Sequence, residues 1–260
     1  MKIDIRDLMS RPTIGVAIIA KNEADRIGRL LSSVSFADDV VVVDSGSTDS
    51  TRDVCLEHGA RVVEREWAGY AAQKQFAMEQ LNTGWILSMD ADEEVPDRLA
   101  GEIVDAVSNA DEDVGGFSMP RLSRYLGRWI RHGGWYPDRK VRLVRHGKGR
   151  WLGNGLHERL EVDGRVVPLS NHMLHYVYRN IADQVGTINR FSDTEAAARG
   201  ARSGWFVFAG VAHAAGKFFE CYIWKLGLLD GIPGLVIAMN SAFYVFLRHA
   251  KCWELGRDVS

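Results

Sequence analysis

Three runs of apolar residues stand out near the start of the chain: Ile14-Gly15-Val16-Ala17-Ile18-Ile19, Val40-Val41-Val42-Val43 and Trp85-Ile86-Leu87-Ser88-Met89. They are continuous rather than alternating, and two are rich in β-branched residues. That pattern predicts short strands covered on both faces. Between them the period changes. Ile27, Leu30, Leu31 and Val34 recur at helical spacing, a helix is expected to about His58, a short strand at Arg61-Val62-Val63, and a helix over Tyr70 to Leu81. Strands alternating with helices predict an α/β fold with a mostly parallel sheet and helices on both faces. Further on, a helix is expected from Pro96 to about Val107, a strand at Gly116-Phe117-Ser118-Met119, and an amphipathic helix from Ala182 to Ala198. Asp111-Glu112-Asp113 reads as a solvated turn, and Val141-Arg142-Leu143-Val144-Arg145 alternates like a hairpin strand with charged edges.

The last stretch differs. From Trp205 to Trp253 the chain is dense in Phe, Trp, Tyr and Leu, with Lys217, Lys225, Arg248 and Lys251 set among them. Its most apolar part, residues 234–247, is broken by Asn240 and Ser241. No uninterrupted run reaches the ~18 apolar residues of a clean spanning helix. The pattern suits amphipathic helices at a bilayer interface, or a helical pair packed on the sheet domain or in a homodimer interface. The boundaries expected are a flexible lead-in over 1–12, an α/β domain over 13–200 and a helical appendage over 201–260.

Composition sharpens this. The 260 residues are 46% hydrophobic, enough for a substantial core, and the net charge of −2 gives no signature of a nucleic-acid-binding chain. From Arg199 on there are seven Lys/Arg against four acids, which leaves the rest at −5: an acidic body with a basic, aromatic tail. Cys55, Cys221 and Cys252 show no paired spacing, which argues for a reducing compartment and against a disulfide framework or zinc site. The first residues lack the apolar core of a signal peptide.

Chemistry concentrates where the strands end. After Trp85–Met89, four carboxylates arrive within five residues: Asp90, Asp92, Glu93 and Glu94. Clustered like charges repel, and a divalent cation such as Mg2+ or Mn2+ would offset that. Asp90 and Asp92 share a face if the strand continues. Glu93 and Glu94 read as the acidic start of the next helix. Glu23 and Asp44 stand after the first two strands, so three strands deliver acid to one edge, where open α/β sheets bind ligands. A dinucleotide-binding dehydrogenase is excluded because Lys21-Asn22-Glu23 stands where a GxGxxG would. The region from Arg121 to Trp151 holds Trp129, Gly133-Gly134-Trp135-Tyr136-Pro137-Asp138-Arg139-Lys140 and the Arg142 strand, a mixture that suits a sugar face and a diphosphate.

Taken together, Ile18-Ile19-Ala20-Lys21-Asn22-Glu23, Val42-Val43-Asp44-Ser45-Gly46-Ser47-Thr48-Asp49-Ser50-Thr51 and Asp90-Ala91-Asp92-Glu93 resemble the nucleotide-sugar half of inverting family 2 glycosyltransferases. The resemblance continues through Gly155-Leu156-His157-Glu158 and His175-Tyr176 to Lys225, Gly227, Leu228, Leu229, Asp230 and Gly231. This fuller pattern is similar to the branch that adds a β-1,4-linked glucose to an inner-core heptose of lipopolysaccharide. The resemblance implies a GT-A-like fold, a UDP-sugar donor and a lipid-linked saccharide acceptor. Glu23, Asp44 and Asp90 would then serve the uridine side, and Arg139, Lys140 and Arg142 the phosphates. Asp92 and His175 would hold Mg2+ or Mn2+. Glu158 is the first choice for the base that deprotonates the acceptor, Asp138 the second. The implied location is cytoplasmic, peripheral on the inner face of the bacterial inner membrane, with the basic tail on an anionic surface. Two other readings remain open: a family 2 transferase acting on a peptide, polyprenyl phosphate or teichoic-type polymer, and a non-catalytic nucleotide-sugar-binding membrane scaffold.

Overall fold

The computed structural model describes residues 11–153 and 158–257. The chain divides into two compact units, Met1–Arg121 with Arg139–His175, and Leu122–Asp138 with Tyr176–Ser260. Most of the expected lead-in, residues 1–10, lies outside the described residues, as do Gly155, Leu156 and His157.

The first unit is built on β1 (Ile14–Ala20), β2 (Asp39–Asp44), β3 (Arg61–Glu64) and β4 (Trp85–Asp90), all parallel, in the order β3-β2-β1-β4. Period-two geometry splits β1 between two cores. Ile14, Val16, Ile18 and Ala20 pack on one face with α1 (Ile27–Ser33), α2 (Thr51–Glu57) and α4 (Asp97–Ser108). Ala17 and Ile19 pack on the other with α3 (Tyr70–Glu79). This is why the run reads as continuous: neither face meets water. A fully buried side chain such as Leu30 or Ile103 contributes roughly 1.5–3 kcal/mol of transfer free energy.

Beyond β4 the sheet becomes mixed. Its remaining strands are β5 (Glu93–Glu94), β6 (Val114–Tyr125), β7 (Arg128–Ile130), β8 (Asp138–Arg145), β11 (Arg165–Pro168) and β12 (Met173–His175). β9 (Gly149–Leu152) and β10 (Arg159–Val162) form a separate antiparallel pair. β8 runs antiparallel to β4, and β5 pairs antiparallel with β12, setting His175 opposite Glu93. Glu93 and Glu94 are therefore a short strand, and the next helix starts at Asp97, which corrects the expectation that they open it. The strand expected at 116–119 runs much further, over Val114–Tyr125.

The second unit contains α5 (Ile181–Arg199), α6 (Trp205–Phe219) and α7 (Gly231–Glu254), with a π-helical turn at Glu220–Trp224 and a 3-10 turn at Gly227–Asp230. Periodicity attaches α5 to the α/β domain, yet it packs with the tail. Gln184 accepts from Asn240 at 2.5 Å, Glu195 pairs with Arg248 at 3.2 Å, and Asn189 accepts from Lys251 at 2.7 Å. Small residues allow the helices and turns to close up. A Cβ on Gly234 would stand 1.9 Å from the Gly227 carbonyl, and one on Gly210 2.6 Å from the His249 Cβ. Buried Asp230 accepts from the Arg131 and His132 amides at 3.1 and 2.8 Å, tying the turn to the loop after β7. Asn240 and Ser241 do not interrupt α7. By length and composition Gly227–Glu254 is long and apolar enough to cross a membrane, a correction to the run-based reading.

Candidate active site

The acid edge expected at the strand ends is present in the first unit. The turn after β2 is organised by its own carboxylates. Asp44 is fully buried and accepts from the amides of Gly46 and Ser47 at 3.1 and 3.0 Å and from the Ser47 hydroxyl, with Arg52 Nε 3.2 Å away. The Thr51 hydroxyl holds the Asp49 carboxyl below its ordinary range, outweighing the desolvation that raises it. The β1 and β2 turns interlock: Asn22 donates its amide to Ser47 Oγ at 2.9 Å and accepts from Thr48 N at 2.8 Å, while Glu23 N donates to Thr51 Oγ1 at 2.9 Å. Asn22 takes a left-handed φ of 56°, which asparagine tolerates better than bulkier residues. Glu23 lies 3.8 Å from Arg26.

At the end of β4 lies a buried ionic cluster. Asp90 accepts from Arg142 at 2.5 Å and pairs with Lys74 at 2.8 Å. Arg142 also donates to Glu93 at 2.6 Å; Glu93 is 1% exposed and accepts from the Asp90 amide at 2.9 Å and from Arg121 at 3.4 Å. Burial pushes the Asp90 carboxyl up, but Arg142 and Lys74 together outweigh it and hold Asp90 well below the usual carboxylate range. Burial pulls the Arg142 guanidinium down, and Asp90 and Glu93 more than restore it, so it stays charged. Arg142 was expected to reach a diphosphate. It is 3% exposed and held by two carboxylates, as the counter-ion of the acid edge.

Asp92 and His175 project beside this cluster. His175 Nε2 is 3.5 Å from Asp92 Oδ2, and Arg26 stands 3.7 Å from the same oxygen. The Asp92 side chain is 23% exposed, while His175 is buried beside it. Among the described residues no group of three or more His, Cys, Asp and Glu forms a complete metal cage. A carboxylate oxygen and an imidazole nitrogen with open positions fit Mg2+ or Mn2+, which share coordination with substrate oxygens.

Glu158 is 3.3 Å from Lys74, so one ammonium reaches both Asp90 and Glu158. Lys74 also lies 4.7 Å from the centre of the Trp151 ring, and Arg142 5.9 Å. Sequence reading missed Lys74. The signal was its place on the inward face of α3 with Gln73, Ala77 and Met78, where a charge needs a partner. Arg142 Nε and Trp151 Nε1 are buried without a hydrogen-bond partner among the described residues, a shortfall that costs stability. Arg139 donates to the Leu169 carbonyl at 3.0 Å, and Lys140 is half-buried on β8. Asp138 opens β8, is half-buried and belongs to the second unit. The structure therefore brings together Asp90, Asp92, His175, Arg142 and Glu158, with Lys74, Glu93 and Arg26 added.

A mostly parallel, helix-flanked sheet that gathers carboxylates at its strand ends and continues into a helical region is a GT-A type fold. The chain belongs to glycosyl transferase family 2, whose family model matches residues 15–160. It is 30% identical over 254 residues to the lipopolysaccharide core biosynthesis glycosyltransferase LpsC of Rhizobium meliloti (strain 1021), covering 91% of this chain and 90% of that one. It is 31% identical over 267 residues to an uncharacterized glycosyltransferase of Rickettsia bellii (strain RML369-C), covering 94% and 87%. A crystal structure of glucosyl-3-phosphoglycerate synthase from Mycobacterium tuberculosis, in complex with Mn2+, UDP and glucosyl-3-phosphoglycerate, overlays 44% of each chain with a TM-score of 0.37 and 26% identity. That overlay is too partial to bear on the ligands of this chain.

Proposed function

We propose that this family 2 glycosyltransferase performs an inverting, metal-dependent transfer of a sugar, glucose foremost, from a UDP-sugar to a lipid-linked saccharide, foremost a heptose of the lipopolysaccharide inner core. The observation that carries the reading is the Asp92–His175 pair, 3.5 Å apart with Asp92 partly exposed, beside a buried cluster whose charges are already balanced. Arg142 and Lys74 neutralise Asp90 and Glu93, and Asp92 and His175 stand beside that balanced cluster. A bound Mg2+ or Mn2+ would supply charge stabilisation for the departing diphosphate.

This chain's residues do the rest. Glu23, Asp90 and the interlocked Asn22–Thr51 turns form the uridine side, and Arg139 and Lys140 remain the cations proposed for the phosphates. Glu158 takes the proton of the acceptor hydroxyl while that oxygen bonds to the anomeric carbon and the bond from carbon to the UDP oxygen breaks. Asp138 is the second choice for this base. Lys74 positions Glu158 through their 3.3 Å contact. A base must come within hydrogen-bond reach of the acceptor oxygen. The similarity to a lipopolysaccharide core enzyme over most of the chain supports the acceptor class. The proposed location is the cytoplasmic face of the inner membrane, and a homodimer is compatible with it.

The test is a thermal melt with UDP, with and without Mn2+, on the natural chain and on Asp92→Ala. Ligand at about 100 times its dissociation constant stabilises by ~2.7 kcal/mol, a rise of several degrees for a chain of this size. The shift is expected to need Mn2+ and to vanish in Asp92→Ala. No shift under any condition removes the nucleotide–metal reading. A shift without transfer to any saccharide acceptor from any UDP-sugar favours the non-catalytic scaffold.

A further inference from the structure

We propose that the α6–α7 hairpin embeds one face and its tip in an anionic lipid bilayer, lying in the plane of the membrane without crossing it. The exposed side chains argue for it. On α6, Trp205 is 79% exposed, Phe208 67%, Val211 55% and Phe219 61%. On α7, Ile232, Leu235, Met239 and Phe243 follow at helical spacing, and all are exposed. The connection adds Ile223, Trp224 at 85%, Leu228 and Leu229. A folded chain rarely shows water so many large apolar groups on two adjoining helices.

The opposite face of α7 decides the mode. Ile237, Ala238, Val245, His249 and Cys252 are buried, and Asn240, Arg248 and Lys251 bind Gln184, Glu195 and Asn189 of α5. Helix α5 itself carries Asp183, Arg190, Asp193, Glu195 and Arg199. If α7 crossed the membrane, α5 would be drawn into hydrocarbon or stripped away, and charges there are strongly disfavoured. Lying flat, with α5 outward and the exposed stripes inward, satisfies both faces at once. Charge selects a bilayer over a second copy of the chain. The second unit carries twelve Lys/Arg and eight Asp/Glu, net +4, so an anionic surface attracts this face more than the like-charged face of a second copy does. At the bend, Lys217 and Lys225 share the single carboxylate of Glu220 at 3.0 and 2.6 Å, leaving a positive end beside Trp224.

The inference deepens the lipid-linked acceptor reading but is tested apart from it, because vesicle binding is measured without donor or acceptor. The full chain is floated with vesicles of phosphatidylcholine alone and of phosphatidylcholine with phosphatidylglycerol. Three proteins are compared: the natural sequence, Trp224→Glu with Ile232→Glu, and Leu56→Glu as an exposed apolar control on α2. The natural chain is expected to bind the anionic vesicles. The double variant should lose on the order of tenfold or more in partitioning, and the control should lose nothing. On the natural chain, lipid-borne quenchers should dim the tryptophan emission, and an added carboxypeptidase should reach the C-terminus of vesicle-bound protein. Absence of binding overturns the proposal, as does equal binding by the double variant. A protected C-terminus overturns the in-plane mode. A stable dimer by light scattering, with no vesicle binding, assigns the face to a second copy instead.

Discussion

The two units solve opposite problems. The first hides polar groups: Asp44, Gln73, Lys74, Glu93, Arg142 and His175 are all buried in it. The second displays apolar ones: of the 22 large hydrophobic side chains exposed among the described residues, 18 belong to it and four to the first. Charge follows the same division, −6 in the first against +4 in the second. Polar groups held inside a sheet domain are preorganised, and preorganised charge is what transfer chemistry requires. Apolar groups held outside are the observation on which the proposed membrane contact rests. The difference shows that burial statistics for the whole chain would average away both signals.

The largest effect is expected from breaking the first unit's interior. Arg142→Met leaves Asp90 and Glu93 without their main counter-ion and should destabilise by roughly 3–5 kcal/mol, read from urea unfolding. Restoring charge with Arg142→Lys should recover only part of this, since one ammonium cannot reproduce the guanidinium's two bonds. The matching cut in the second unit is Gly234→Ala. The added methyl meets backbone, the Gly227 carbonyl, rather than a yielding side chain, and should cost about 1–3 kcal/mol. Its melt should still respond to UDP and Mn2+, which would show that the two units' roles are separable.

Acid sharpens the comparison further. Asp90 is depressed in the folded state, so its contribution is complete above the unfolded carboxyl value of ~3.9 and is lost as pH falls below it toward the folded value. Asp90→Asn should therefore make the stability curve shallower below about pH 4, while leaving its shape near pH 7 unchanged. The smallest effect concerns Cys55. Burial, and then the charge of Asp44, raise its thiol to about 11. With Cys221 and Cys252 also buried, a thiol reagent at pH 8 should modify none of the three before unfolding. Rapid labelling of Cys55 alone would mean that the Asp44 turn opens readily.

Much of the first unit was legible because fully covered parallel strands write themselves as unbroken apolar runs, and because acid at three strand ends has few structural excuses. Asp90, Asp92 and His175 could be named on that basis and by resemblance. The interior cations could not be placed so well. In Val141-Arg142-Leu143-Val144-Arg145, alternation suggests that arginines face water. But β8 lies between β4 and β6, so Arg142, Leu143 and Val144 are all buried and alternation carries no sense of direction. Glu93 misled for the converse reason. Acid before a helix is common, and nothing local announces a two-residue strand that only its distant partner β12 defines. The extent of the second unit was hidden too. The attachment of α5 to the tail rests on pairs such as Glu195–Arg248, which are far apart in sequence.

The pairing of β5 with β12 carries one more consequence. β12 lies between β6 and β5, and on the β5 side Leu174 stands against Glu94 and His175 against Glu93, which sets where the imidazole lies along the ladder. Side chains on neighbouring positions of a strand point to opposite faces. The approach to β12 from Leu169 to His172 therefore acts as a spacer of fixed length. Losing or gaining one residue there would turn the imidazole away from Asp92 without altering a single side chain of the site. In relatives of this chain, substitutions in that spacer should be common and changes of its length rare.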